Sequence, residues 1–145
     1  MKSKILHEVA GQRTVALIFE TGDKVMSTLT EFATKSGLSG SHFTAIGAFQ
    51  VATLGYFDWN VKDYEHLPVN EQVEVVALIG DVAAGPNEKP KVHAHVVLGK
   101  SDGTALAGHL LEATVRPTLE LILTESPVHL RRVHDPVSGL ALIRP

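Results

Sequence analysis

Three histidines stand at positions where their type and spacing suit metal chemistry: His93, His95 and His109, all within residues 91–110. A strand turns successive side chains to opposite faces, so His93 and His95 of the His-Ala-His triplet point the same way. Ser101-Asp102-Gly103 reads as a three-residue hairpin loop, with Gly103 where the chain needs a positive φ. If Lys100 and Thr104 close that loop, His95 lies directly across from His109, and cross-strand partners share a face. The three imidazoles then converge on one side of one hairpin, a three-nitrogen site with an open fourth position. The competing reading is a set of hydrogen-bonded structural histidines. The two readings separate on register, because a slip of one residue would turn His109 away. All-nitrogen ligation suits a divalent transition metal (Zn, Ni, Cu or Fe), and spacing does not choose among them.

Other residue types in the chain carry weaker signals than that cluster. Arg116 and Arg13 are candidate clamps for a small anionic ligand, carboxylate or phosphate. Arg116 is equally suited to a structural ion pair with Glu112 or Glu120. Glu112, three positions beyond His109, belongs on the opposite face and reads as structural. Glu125 is a possible general acid or base, or a turn residue. Tyr56, Phe57 and Trp59 suit stacking on a base or organic ligand, or burial in a core or subunit contact. His42 has no ligand at matching spacing. No glycine-rich phosphate loop or Ser-His-Asp pattern stands out.

The elements that must carry these residues are mostly strands. Residues 4–10 and 14–19 read as strands. Asp23 reads as the N-cap of the principal helix, about 23–36, whose apolar stripe is Val25, Met26, Leu29, Phe32 and Ala33, with Gly37 as its stop. Residues 42–48 and 52–57 read as two strands around a turn near Phe49-Gln50. Gly47 and Gly55 mark bulges or close backbone contacts. Residues 62–65 read as an exposed strand ended by Leu67-Pro68, and 72–79 as another. Residues 84–90 read as a loop. Beyond the histidine hairpin, 118–124 is a strand opened by Arg116-Pro117, and 128–134 pairs with 139–143. The expected fold class is α+β: a single domain, 1–145, with a mainly antiparallel sheet. So many strands leave edges, which favours a homo-oligomer.

Composition narrows the function classes. Apolar residues are 44% and charged residues 20% of 145, a globular balance. Without cysteine there is no disulfide, thiolate ligand or Cys nucleophile. Net charge is −3, against the basic footprint of a nucleic-acid binder. No membrane-length apolar run or signal segment opens the chain, so a cytoplasmic protein is expected.

Several motifs together resemble a known family. Gly11-Gln12-Arg13 precedes an apolar strand, and Gly22-Asp23 starts the helix. Ala45-Ile46-Gly47-Ala48, Val92-His93-Ala94-His95, Gly108-His109-Leu110 and Thr124-Glu125-Ser126-Pro127 follow in order. This pattern resembles the plants and prokaryotes conserved (PPC) domain over nearly the whole chain. The resemblance implies an α/β fold with a central antiparallel sheet, assembled as a homotrimer, in a family often described as DNA-binding. Plant relatives contact DNA through Arg-Gly-Arg-Pro AT-hooks outside the domain, and no such segment occurs here. Their Gly-Arg-Phe-Glu-Ile-Leu segment corresponds to residues 71–76, where only the Glu and an apolar pattern remain. The wider fold is similar to acetolactate decarboxylase, which holds zinc with His-x-His plus a later His. By that analogy zinc comes first at His93, His95 and His109. Three functional expectations follow. The first is a trimeric metal-binding domain with a small ligand. The second is a DNA-associated regulator, whose binding would weaken with salt. The third is a metal-dependent lyase or hydrolase of a small carbonyl or carboxylate compound.

Overall fold

The computed structural model describes residues 1–144. Pro145, the last residue of the expected 1–145 domain, lies outside the described residues. The described residues form nine strands and one helix. In chain order these are β1 (Lys2–Val9), β2 (Gln12–Glu20), α1 (Val25–Ser36), β3 (Gly40–Asp58), β4 (Asp63–Val69) and β5 (Val73–Ala84). They continue with β6 (Pro90–Gly99), β7 (Ala105–Glu125), β8 (Arg131–His134) and β9 (Ala141–Arg144). All belong to one sheet, antiparallel except for a single parallel bridge between β5 and β8. β3 pairs with both β5 and β7, and β6 also pairs with both β5 and β7. Four strands therefore close a circuit of pairings that leaves none of them as a free edge.

Alternation in these strands sends Leu17, Phe19, Phe43, Leu78, Leu98, Leu110, Leu119 and Leu121 into one buried core. Helix α1 lies on that core with Val25, Leu29 and Ala33 fully buried, while Met26 and Phe32 pack at its margin. The expected stripe is thus the packed face. Gly37 ends the helix in the left-handed conformation, as expected.

The N-terminus of the helix differs from expectation. Lys24, not Asp23, holds the N-cap position and offers no side-chain cap. Asp23 instead accepts from the Glu20 amide and pairs with the N-terminal amine. The cap comes from another element. Glu112 on β7 accepts hydrogen bonds from the amides of Met26 at 2.8 Å and Ser27 at 3.2 Å. A carboxylate there satisfies two orphan donors and faces the positive end of the helix dipole. The structural role expected for Glu112 is borne out, but a register shift between Leu110 and Glu112 means that its face does not follow from simple alternation.

Other boundaries shift because strand pairing, not local sequence, sets them. Residues 42–48 and 52–57 form a single 19-residue strand with no turn at Phe49-Gln50, and β7 runs for 21 residues through Arg116-Pro117 without a break. Register shifts along β3 and β7 absorb the extra residues and let both strands bend around the core. Leu67-Pro68 does not end β4 but lies inside it. Pro68 is tolerated because β4 pairs only with β3 and so runs along an edge. Pairing with β3 and β6 carries β5 on to Ala84.

Replacing Glu112 with Ala is expected to cost roughly 0.5–2 kcal/mol, the range for losing a helix cap. Urea unfolding followed by circular dichroism measures it. Unchanged stability would remove the capping role.

Candidate metal centre

The hairpin of β6 and β7 closes in the expected register. The Lys100 amide donates to the Thr104 carbonyl at 2.9 Å, and the Gly103 amide to the Lys100 carbonyl at 3.0 Å. Gly103 has φ +82°, which glycine adopts without strain. Asp102 accepts from the Thr104 amide and hydroxyl and so stiffens the loop. From this loop the pairing runs without a slip to His95 opposite His109.

The three rings meet on the outer face of the sheet. Ring centroids lie 5.0 Å apart for His93 and His95, 4.9 Å for His93 and His109, and 5.3 Å for His95 and His109. One ring nitrogen from each falls within 4.8 Å of the others. Tetrahedral zinc with bonds of about 2.0–2.1 Å needs nitrogens about 3.4 Å apart, a small inward rotation of the rings. Nδ1 of His109 is buried without a hydrogen-bond partner among the described residues. Such a group is costly unless something satisfies it. Burial, then the nearby charges of His93, His95, Lys91 and Arg132, depress the His109 pKa to about 4. Burial and His93 lower that of His95. Both rings are thereby kept in the neutral form that ligates metals. The donor set, the orphaned nitrogen and the neutral rings all fit a transition-metal ion.

Support from outside the triad comes from β5 and the C-terminal hairpin. Asp81 is the cross-strand partner of His93, and its Oδ2 lies 3.6 Å from His93 Nδ1. A carboxylate on Nδ1 orients the ring and leaves Nε2 for a metal. Burial opposes ionisation of Asp81, but His93 and Arg132 outweigh it and its pKa falls below the usual carboxylate value. Arg132 on β8 binds the other carboxylate oxygen and donates to the Ala141 carbonyl at 3.1 Å. It is only 6% exposed.

Tyr64 on β4 covers the far side, its ring 4.7 Å from that of His109. Gly55 permits this approach. It pairs with His109, and a Cβ there would fall 2.8 Å from Tyr64 Cδ1. Phe57 packs edge-on to both Tyr64 and Trp59. Tyr56 and Trp59 are exposed, so the aromatic group is not core.

The two arginines singled out in the sequence lie elsewhere. Arg116 is exposed and donates to Gln72 Oε1 at 3.3 Å, so it pairs with neither Glu112 nor Glu120. Arg13 donates to the Ser36 carbonyl at the end of α1. Neither lines the cavity beside the histidines, whose walls are formed from Tyr64, Lys91, Val92, His93, His109, Arg132 and residues 140–142. Glu125 is buried, accepting from the Ser39 and Gly40 amides and the Ser41 hydroxyl, which makes it structural. His42 is exposed, with Asp81 as its cross-strand partner. Sequence reasoning missed Asp81, Arg132 and Tyr64. The strand read from the sequence, residues 72–79, stops short of Asp81, and nothing local ties residues 64 or 132 to the hairpin.

The fold and site define a single-domain antiparallel-sheet protein that displays three imidazoles on its outer face. The Plants and Prokaryotes Conserved (PCC) domain model matches residues 6–127, and the chain belongs to that family. A plant- and prokaryote-conserved protein from Pyrococcus horikoshii is 28% identical, with TM-score 0.84 over 99% of this chain and 95% of its own. A metal-containing protein from Archaeoglobus fulgidus is 32% identical, with TM-score 0.82 over all of both chains. A Bacteroides thetaiotaomicron protein provisionally described as DNA-binding is 26% identical, with TM-score 0.85 over 98% and 96%. No curated protein matches the chain. No helix among the described residues is long and apolar enough to cross a membrane.

The depressed pKa of His109 makes a signed prediction for the metal-free protein. Between its usual value of 6.5 and about 4 the unfolded chain binds a proton that the folded chain does not. Stability is therefore complete above pH ~6.5 and falls as pH drops through that window. His109→Leu is expected to flatten this slope in urea titrations at several pH values. An unchanged slope would assign the effect to other groups.

Proposed function

We propose that this protein is a metal-binding PPC-domain protein whose His93, His95 and His109 hold one divalent transition metal and present it to a small ligand. The observation that carries the reading is the convergence of three imidazoles within 4.8 Å, one of them with a buried, unpartnered nitrogen. Zinc is the first choice, since neutral imidazoles suit it and it accepts four-coordinate sites; nickel, iron and copper are the alternatives. The metal-containing description of the Archaeoglobus relative, matched over its full length, points the same way. Held by His93, His95 and His109, such a metal would supply Lewis-acid chemistry toward a carbonyl or water. The chain's own part is to hold the His95 and His109 rings neutral, to fix His93 through Asp81, and to wall the site with Tyr64 and the C-terminal hairpin. Duplex DNA is not part of this reading, because the net charge is −3 and no AT-hook segment is present.

The same reading includes a homotrimer. Ile18, Ile46, Val76, Ile79 and Ile122 are all exposed on strands β2, β3, β5 and β7. Ile79 is paired with His95, so this apolar face runs up to the histidines. A contiguous apolar sheet face on a small domain is the mark of a contact surface, and further copies of the chain are the occupant that closed symmetry supplies.

Zinc titration by equilibrium dialysis, on protein purified without a histidine tag, tests the metal. One zinc per chain is expected. His95→Ala should lose stoichiometric binding, and Asp81→Asn should weaken it roughly 10–100-fold, the usual cost of a lost outer hydrogen bond. Equal binding by a variant with all three histidines replaced by Ala would sink the reading. Sedimentation should give three chains per particle, and Ile46→Glu should yield monomers. A monomeric parent protein would remove the trimer.

A further inference from the structure

Beside the histidines lies a cavity of about 150 Å³ whose lining contains no acidic residue. Two cations stand in its wall. Lys91, on β6 two residues before His93, is exposed and has no ion-pair partner among the described residues. Arg132 is buried, and although Asp81 and the Ala141 carbonyl engage its two terminal nitrogens, its Nε is a buried donor with no acceptor among the described residues. Tyr64 gives the cavity a flat aromatic wall, and Leu140, Ala141 and Leu142 close it with apolar surface. His93 and His109 form the remaining side, so the cavity opens onto the proposed metal centre. The family model ends at residue 127, and the hairpin that brings Arg132 and residues 140–142 lies beyond it.

We propose that this cavity is an anion subsite in which Lys91 and Arg132 hold the carboxylate of a short oxo- or hydroxycarboxylate, placing its oxygen-bearing carbon toward the three-histidine centre. The proposal rests on the metal reading above and adds the class of ligand. Charge sets the first half of that class: Lys91 is a cation without an ion-pair partner among the described residues, Asp81 engages Arg132 and His93 but does not line the cavity, and no acidic residue does. A carboxylate supplies acceptors for donors that otherwise have none. Size sets the second half. A cavity near 150 Å³ holds a molecule about as large as benzene, roughly six heavy atoms. Drug-sized and nucleotide ligands need about 300 Å³ or more. A three- or four-carbon acid fits; a nucleotide does not.

The probes are pyruvate and hydroxyacetone, which match in size and differ in the carboxylate. Titration calorimetry on the zinc-loaded full chain is run for the parent protein and for Lys91→Gln, whose exposed position spares the fold. Zinc content is measured on each sample. Pyruvate is expected to bind, hydroxyacetone to bind at least tenfold more weakly, and Lys91→Gln to keep its zinc while losing about tenfold in pyruvate affinity. That factor corresponds to one lost charge-assisted hydrogen bond. Zinc-loaded protein that ignores pyruvate, or that binds it equally with Gln at position 91, overturns the subsite and leaves the metal reading standing. Failure to take up zinc overturns both.

Discussion

The register of the β6–β7 hairpin is the constraint on which the site depends. A side-chain period of two means that one residue of slippage would send His109 into the core and Leu110 onto the surface. Two independent forces oppose that slip. The Lys100–Thr104 loop, with Gly103 at φ +82°, fixes the local geometry. The burial of Ala94, Val96, Leu98 and Leu110 fixes the opposite face. Strand pairing on both flanks then locks the hairpin into the closed circuit of β3, β5, β6 and β7. Ligand geometry is thus held by sheet hydrogen bonds and core packing together, a more rigid support than a loop supplies.

Electrostatics around the site follow a single chain of contacts. Arg132 holds Asp81, and Asp81 faces His93. Against burial, His93 and the buried arginine together keep Asp81 ionised, and the carboxylate in turn favours one orientation of the imidazole. Burial, then His93 and His95, and after them Lys91 and the same arginine, hold the His109 ring neutral. One C-terminal strand of four residues therefore helps to set both the ring orientation and the charge state of residues more than twenty positions away in sequence.

The sheet has two faces with different duties. One packs against itself and α1 to form the core. The other carries, in successive cross-strand positions, Ile122, Thr44, Ile79, His95 and His109. Apolar surface and candidate ligands are thus parts of one continuous outer face, which links the proposed assembly to the proposed site.

Much of this was legible in the sequence because it is local. Alternation in residues 93–109, the Ser101-Asp102-Gly103 loop and the stripe of Val25, Leu29 and Ala33 each depend on neighbours a few residues apart, and each emerges as expected. The limits of β3 and β7 were misread because bulges let long strands pass through residues that look like breaks, a choice made by pairing with distant strands. Asp23 seemed the natural cap, yet the carboxylate that reaches the helix amides is Glu112, 86 positions from Met26. By itself, then, the sequence determined the fold class, the hairpin register and the meeting of three histidines. Only the tertiary structure decided that Asp81, Arg132, Tyr64 and Lys91 surround them while Arg13 and Arg116 do not. Side-chain alternation is a property of a segment, whereas the wall of a cavity is assembled from strands whose order in space is set by the packing of the whole sheet.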